Sequence, residues 1–221
     1  MEIGLKEGRT IDLVISGYGS SEEATIARFQ AAIPGEHHKL WEASVENASY
    51  VCNSEDYLFT VTELDEYAVV YLYKKKDSGY LLLDQRRLEG GALCHITYSD
   101  KNKVLYGACY GTGTIFALRV EVDHFGVLLF SEVQQGGGEK DLTRTHCVLL
   151  NKEQDELITI NIALDQILCY QLTQGVPSLA NIIPMPKDVG PRHAIYSADE
   201  AYLYVITEYS NEIFVYENET R

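Results

Sequence analysis

The stretch Arg192-His193-Ala194-Ile195-Tyr196-Ser197-Ala198-Asp199, followed by Tyr202-Leu203-Tyr204-Val205-Ile206-Thr207-Glu208 and then Glu212-Ile213-Phe214-Val215-Tyr216, decides how this chain folds. Each segment is a short run of β-branched and aromatic residues, the types that suit a pleated, half-buried surface. Polar residues separate the runs and mark turns, so the stretch reads as three antiparallel strands. The pattern recurs. It is seen in Thr145-His146-Cys147-Val148-Leu149-Leu150 with Glu156 to Asn161 and Gln166 to Tyr170. It is seen again in Cys94-His95-Ile96-Thr97-Tyr98 with Val104 to Tyr110 and Thr114 to Leu118, and in Tyr50 to Asn53 with Tyr57 to Glu63 and Ala68 to Tyr73. The matched positions Tyr50, His95, His146 and His193 lie 45, 51 and 47 residues apart. A period of about 40–50 residues with several strands per unit predicts the blades of a β-propeller.

Working outward, Tyr80 to Asp84, Val127 to Ser131 and Ala180 to Ile183 supply the fourth, outer strands. Gly90-Gly91 and Gly136-Gly137-Gly138 carry the chain from one blade to the next. Ahead of the repeats, Leu13 to Gly17 and Ala24 to Phe29 read as two strands of a partial leading blade. His37-His38 reads as a solvated loop and Lys74-Lys75-Lys76 as a turn. The expected fold is all-β: one propeller domain of four-stranded antiparallel blades over residues 1–221, with about four and a half blades present in an incomplete ring. The leading blade covers 1–48 and the repeats 49–91, 92–138, 139–189 and 190–221. The last strand is expected to lack an outer partner, and an open edge invites self-association.

A net charge of −15 excludes a sequence-independent binder of nucleic acid or of an anionic membrane, since both need positive charge facing phosphates. No apolar run is long enough for a membrane-spanning helix. The start, Met1-Glu2-Ile3-Gly4-Leu5-Lys6-Glu7, carries no signal peptide, which points to the cytoplasm. The odd set of five scattered cysteines, without CxxC, reads as reduced, mostly buried thiols. GxSxG, P-loop, HExxH and EF-hand patterns do not occur. Gly111-Thr112-Gly113 lacks the third glycine of a dinucleotide fingerprint and reads as a tight turn.

In a propeller the starts of the inner strands surround one mouth of the central channel. This chain places His95, Arg144, His146, Arg192 and His193 at or beside those positions. Glu208 ends a second strand that returns to the same mouth, with Glu63, Tyr110 and Asn161 as its equivalents. Such a ring either binds and transforms a ligand or ties neighbouring blades together, and both readings stand. His124, beside Asp123 in a turn, is expected to be exposed.

Gly190-Pro191-Arg192-His193-Ala194-Ile195-Tyr196-Ser197 with Tyr202 to Asn211 closely resembles the GPRH…YxLxE repeat of the lactonase family of seven-bladed β-propellers. That family includes the propeller-type 6-phosphogluconolactonases and the carboxymuconate cyclases. Thr145-His146-Cys147 is similar to its channel histidine repeat, and Gly17-Tyr18-Gly19-Ser20 to its N-terminal turn. The resemblance implies that His146, Arg192 and Glu208 form the catalytic site, with a further arginine in a later blade beyond Arg221. His95, Arg144, His193 and Glu63 become candidate substrate contacts. The implied reaction is hydrolysis of a sugar lactone such as 6-phosphoglucono-1,5-lactone, a small anionic substrate, without cofactor or metal. His146 or Glu208 would act as base and Arg192 would stabilise the oxyanion. The alternatives are a carboxymuconate-type cycloisomerase and a non-catalytic binding propeller.

Overall fold

The protein is described by a computed structural model covering residues 9–33, 35–135 and 143–218. The glycine link 136–138 and the N-terminal residues 1–8 lie outside the described residues. Among those described, the regular elements are eighteen strands in five antiparallel sheets, each with its strands in sequence order. The leading sheet holds β1 (Arg9–Ser16), β2 (Ile26–Ile33) and β3 (His37–Ala43). The second holds β4 (Val51–Asn53), β5 (Tyr57–Glu63), β6 (Ala68–Lys76) and β7 (Gly79–Leu88). The third holds β8 (Leu93–Ser99), β9 (Val104–Cys109), β10 (Thr114–Val120) and β11 (Phe125–Val133). The fourth holds β12 (Thr145–Leu150), β13 (Glu156–Asn161), β14 (Gln166–Thr173) and β15 (Val176–Pro184). The last holds β16 (Pro191–Tyr196), β17 (Tyr202–Thr207) and β18 (Ile213–Glu217). These are five blades of an incomplete propeller.

Two local expectations are corrected. The leading blade has three strands, because His37, His38 and Lys39 pair with Ala31, Gln30 and Phe29 instead of forming a loop. Their side chains stay exposed, and pairing sets the backbone whatever their polarity. Likewise Lys74-Lys75-Lys76 completes β6 against Leu81, Tyr80 and Gly79, and the turn falls at Asp77-Ser78. The Lys74 ammonium lies 4.4 Å from the centre of the Tyr57 ring, where cation–π attraction holds it.

Four apolar layers glue the five blades. Ile26, Leu58, Tyr73 and Tyr80 join the first pair, with Trp41 packed edge-on against Tyr73 and Tyr80. Phe59, Val70 and Leu72 meet Ile96, Leu105 and Phe116 in the next layer. Tyr106, Ile115 and Ala117 meet Val148, Leu157 and Tyr170 in the third. Ile158, Ile160 and Ile167 meet Leu203 and Val205 in the fourth. Alternation along each strand sends one set of side chains to the blade before and the other to the blade after.

The same irregularity interrupts three inner strands. Register slips between Leu93 and His95, between Thr145 and Cys147, and between Pro191 and His193. A bulge of this kind inserts one residue and bends the strand. It makes Cys94, His146 and Arg192 equivalent to one another, and His95, Cys147 and His193 equivalent one step later. His146 therefore stands one position ahead of His95 and His193, not level with them. The second strands carry a similar correction. Glu63, Cys109 and Asn161 close their hairpins against Ala68, Thr114 and Gln166, and Thr207 bonds to Glu212 in the same place. Glu208 is thus level with Tyr110, while Glu63 and Asn161 sit one residue earlier.

Candidate active site

At the mouth where the bulges lie, a cavity of about 330 Å³ is lined by Tyr18, Ser49, Tyr50, Glu63, Cys94, Tyr110, His146, Arg192, His193 and Glu208. All five blades or their connections contribute, because each inner strand starts here and each second strand ends here. Arg192 Nε lies 2.8 Å from Glu208 Oε2, and these side chains are 45% and 40% exposed. A charge-assisted bond of that length fixes the guanidinium plane while leaving its remaining N–H groups open to a ligand. The Glu208 N–H donates to Gly190 O at 2.7 Å, which joins the two ends of the GPRH-to-Glu segment. Glu63 accepts a hydrogen bond from the Tyr18 hydroxyl at 2.8 Å.

The imidazoles form a cluster. The rings of His146 and His193 are 4.8 Å apart, and those of His95 and His193 are 5.5 Å apart. His95 stacks at 4.2 Å on Tyr50 and is buried behind the cavity wall. Burial pulls His146 down to about 3, reinforced by the Arg192 charge and by His193. Burial pulls His95 to about 3 as well, with His193 and His146 adding to it. His193 is lowered by burial and by Arg192. All three are neutral at ordinary pH, so none repels the Arg192 cation, which pairs with Glu208.

The structure thus brings His146, Arg192, Glu208, His193 and Glu63 into one cavity. Arg144 and His95 stand beside it. The Arg144 guanidinium sits 4.7 Å from the centre of the Tyr110 ring, and Tyr110 lines the cavity. Asn161 turns away from the mouth, its amide donating to Gln134, Thr143 and Thr145. That network, with Gln134 also donating to Thr159 and Tyr170, ties the fourth blade to the end of the third. The site reading from sequence omits Tyr18, Ser49, Tyr50 and Cys94. Cys94 could have been found by counting back from the hairpin turn, which makes it level with His146 and Arg192. His124 is exposed in its turn, with Nδ1 2.8 Å from Asp123.

Residues 12–221 match the family described as lactonase, 7-bladed beta-propeller. The 6-phosphogluconolactonase of Bacillus subtilis (strain 168) is 26% identical over 183 residues, which cover 79% of this chain and 52% of that protein. The chain spans about half the length of the curated relatives it matches. Among solved structures, the periplasmic gluconolactonase of Pseudomonas aeruginosa superposes with a TM-score of 0.85 at 20% identity, covering 96% of this chain and 66% of that one. A protein from Lactobacillus plantarum gives a TM-score of 0.85 at 19% identity, covering 96% and 64%. With five blades in place and the match running from residue 12 to the end, the chain belongs to the lactonase family of seven-bladed β-propellers.

Proposed function

We propose that the mouth cavity binds an anionic sugar lactone and hydrolyses it, with 6-phosphoglucono-1,5-lactone as the substrate type. One observation carries the reading: a guanidinium oriented by its 2.8 Å bond to Glu208 faces a cavity that also holds the neutral His146. Lactone hydrolysis adds water to the ring carbonyl, breaks the ring C–O bond and leaves a carboxylate and an alcohol. Arg192 supplies N–H donors to the oxyanion as it develops. The base is assigned to the Glu208 carboxylate on geometry: Arg192 holds its Oε2, which leaves the second oxygen to accept a proton from the attacking water. His146 then orients the attacking water as a hydrogen-bond partner. The thiols of all five cysteines support a reducing compartment, the cytoplasm, as the site of action.

A second reading is ligand binding without turnover, which the same cavity and its oriented guanidinium would also serve. One experiment separates the two. Hydrolysis of 6-phosphoglucono-1,5-lactone is followed by proton release against the spontaneous rate, alongside binding of 6-phosphogluconate by calorimetry. The expected result is catalysed hydrolysis that Arg192→Ala lowers by roughly 10²-fold with little loss of stability. The exposed His124→Ala should leave the rate unchanged. Binding without catalysis selects the second reading, and neither binding nor catalysis removes both.

A further inference from the structure

The bulges do more than build the mouth. One step behind the mouth residues, His95, Cys147 and His193 occupy the same position in three consecutive blades. Their ligand atoms all lie within 4.8 Å of one another. His95 Nε2 and Cys147 Sγ are 3.8 Å apart. Cys147 is almost wholly buried and His95 nearly so. We infer that these three side chains form a binding site for a zinc-class metal ion on the channel axis, which ties the third, fourth and last blades together. No CxxC or HxxxH spacing announces the set, because its members lie 52 and 46 residues apart.

The donor chemistry fits. Imidazole nitrogen and thiolate sulfur are both zinc ligands, with metal–nitrogen bonds of about 2.0–2.1 Å and metal–sulfur bonds of about 2.3 Å. Two such ligands on a tetrahedral ion stand about 3.5 Å apart, close to the His95–Cys147 separation. An ion centred in a triangle of 4.8 Å sides starts about 2.8 Å from each corner, so the ligands must close by roughly half an ångström. Burial pushes the Cys147 thiol up to about 11 and the Ala194 N–H, donating to its sulfur, offsets only part of this, so the metal itself must displace the thiol proton. His146, its Nδ1 buried and without a hydrogen-bond partner, stands next to the set with its ring 4.8 Å from that of His193.

Capture has a defined balance and a defined cost. Cys147 Sγ–H loses one proton to solvent as the metal–sulfur bond forms. On His95 the metal takes Nε2, and the ring proton moves to Nδ1. There it displaces the Val148 N–H, which now donates to Nδ1 at 3.4 Å, the long end of such a bond. The site shares His193 with the lactone cavity, but its occupancy can be read without any substrate.

Cobalt(II) is the probe. The full chain, fully reduced and freed of metal by chelation, is titrated with Co²⁺ while thiolate-to-cobalt charge-transfer absorption is followed. Zinc is then added in competition. The expected result is one ion per chain, a charge-transfer band that zinc abolishes, and a melting temperature raised by zinc. Cys147→Ser should abolish the band, and His95→Gln should weaken binding by at least tenfold. Cys94→Ser, a thiol one step away at the mouth, should retain the band. Absence of the band in the wild-type chain overturns the proposal, even if Cys147→Ser fails to fold. A band that survives Cys147→Ser in a chain folded by circular dichroism overturns it as well.

Discussion

At the scale of single residues, three neutral histidines set an acid limit on the fold. Each is held below its ordinary value in the folded chain, His95 and His146 down to about 3, and regains that ordinary value when unfolded. Between about pH 6.5 and 3 the unfolded chain therefore binds more protons, so stability is full above that window and falls as pH drops through it. Each histidine contributes up to about 1.4 kcal/mol per pH unit. The interval from pH 6.5 to 5 isolates them, because ordinary carboxylates titrate lower. Urea unfolding should show a loss of about 3–5 kcal/mol across that interval. His95→Gln should make the decline shallower, while His124→Gln, at the surface, should not alter it. An unchanged slope in His95→Gln would show that the burial of this imidazole does not govern the acid limb. The sign also bears on the site: the same depression that weakens His146 as a base keeps Arg192 free of a cationic neighbour.

At the scale of elements, the loop into β16 decides where Arg192 points. The buried Asp165 carboxylate accepts from the N–H groups of Asp188 and Gly190, both at 2.9 Å. Gly190 has φ +63, a left-handed conformation that a side chain strains, and a Cβ there would lie 2.5 Å from the Tyr209 ring. Gly190→Ala should cost about 2 kcal/mol or more and raise KM by moving Glu208, whose N–H bonds to Gly190 O. Gly17→Ala, where a Cβ meets nothing within 4 Å, should be tolerated, and equal melting temperatures for the two variants would sink the argument. Much of this scale was legible in the sequence. Alternation of Tyr, Val and Ile with polar residues fixed the blades, because the layers between them demand one apolar face per side. The bulges were not legible, since an inserted residue carries no compositional mark. His146 aligned one place wrong for a different reason: the repeats were matched on their histidines instead of being counted back from the hairpin turns, which all three strands share. The strand ends at His37 and Lys74 were missed for a related reason: backbone pairing there overrides polar side chains.

At the scale of the whole molecule, four apolar layers serve five blades, and two blade faces are left over, one on the first sheet, where Leu13 and Ile15 are exposed, and one on the last. On the last sheet Leu203 and Val205 point into the fourth layer, while alternation turns Ile195, Tyr204, Ile206, Ile213 and Val215 outward. Register aligns Ile195, Tyr204 and Val215 into one cross-strand row and Ile206 and Ile213 into another. Ile195 is 64% exposed and Val215 56%. β18 pairs with β17, and no strand among the described residues pairs with its other side. We propose that these contiguous apolar rows, beside a strand edge that no described residue pairs, draw a second copy of the 221-residue chain. The net charge of −15 opposes that contact, so the two effects carry opposite salt dependence. Sedimentation velocity at tens of micromolar should show dimers or larger species, more of them as salt screens the repulsion. Ile195→Glu combined with Val215→Glu should return the chain to monomer without unfolding it, because both side chains are already exposed. Association that weakens with salt would place the contact on charged surface instead, and a monomer at every concentration would show that the open face does not self-pair.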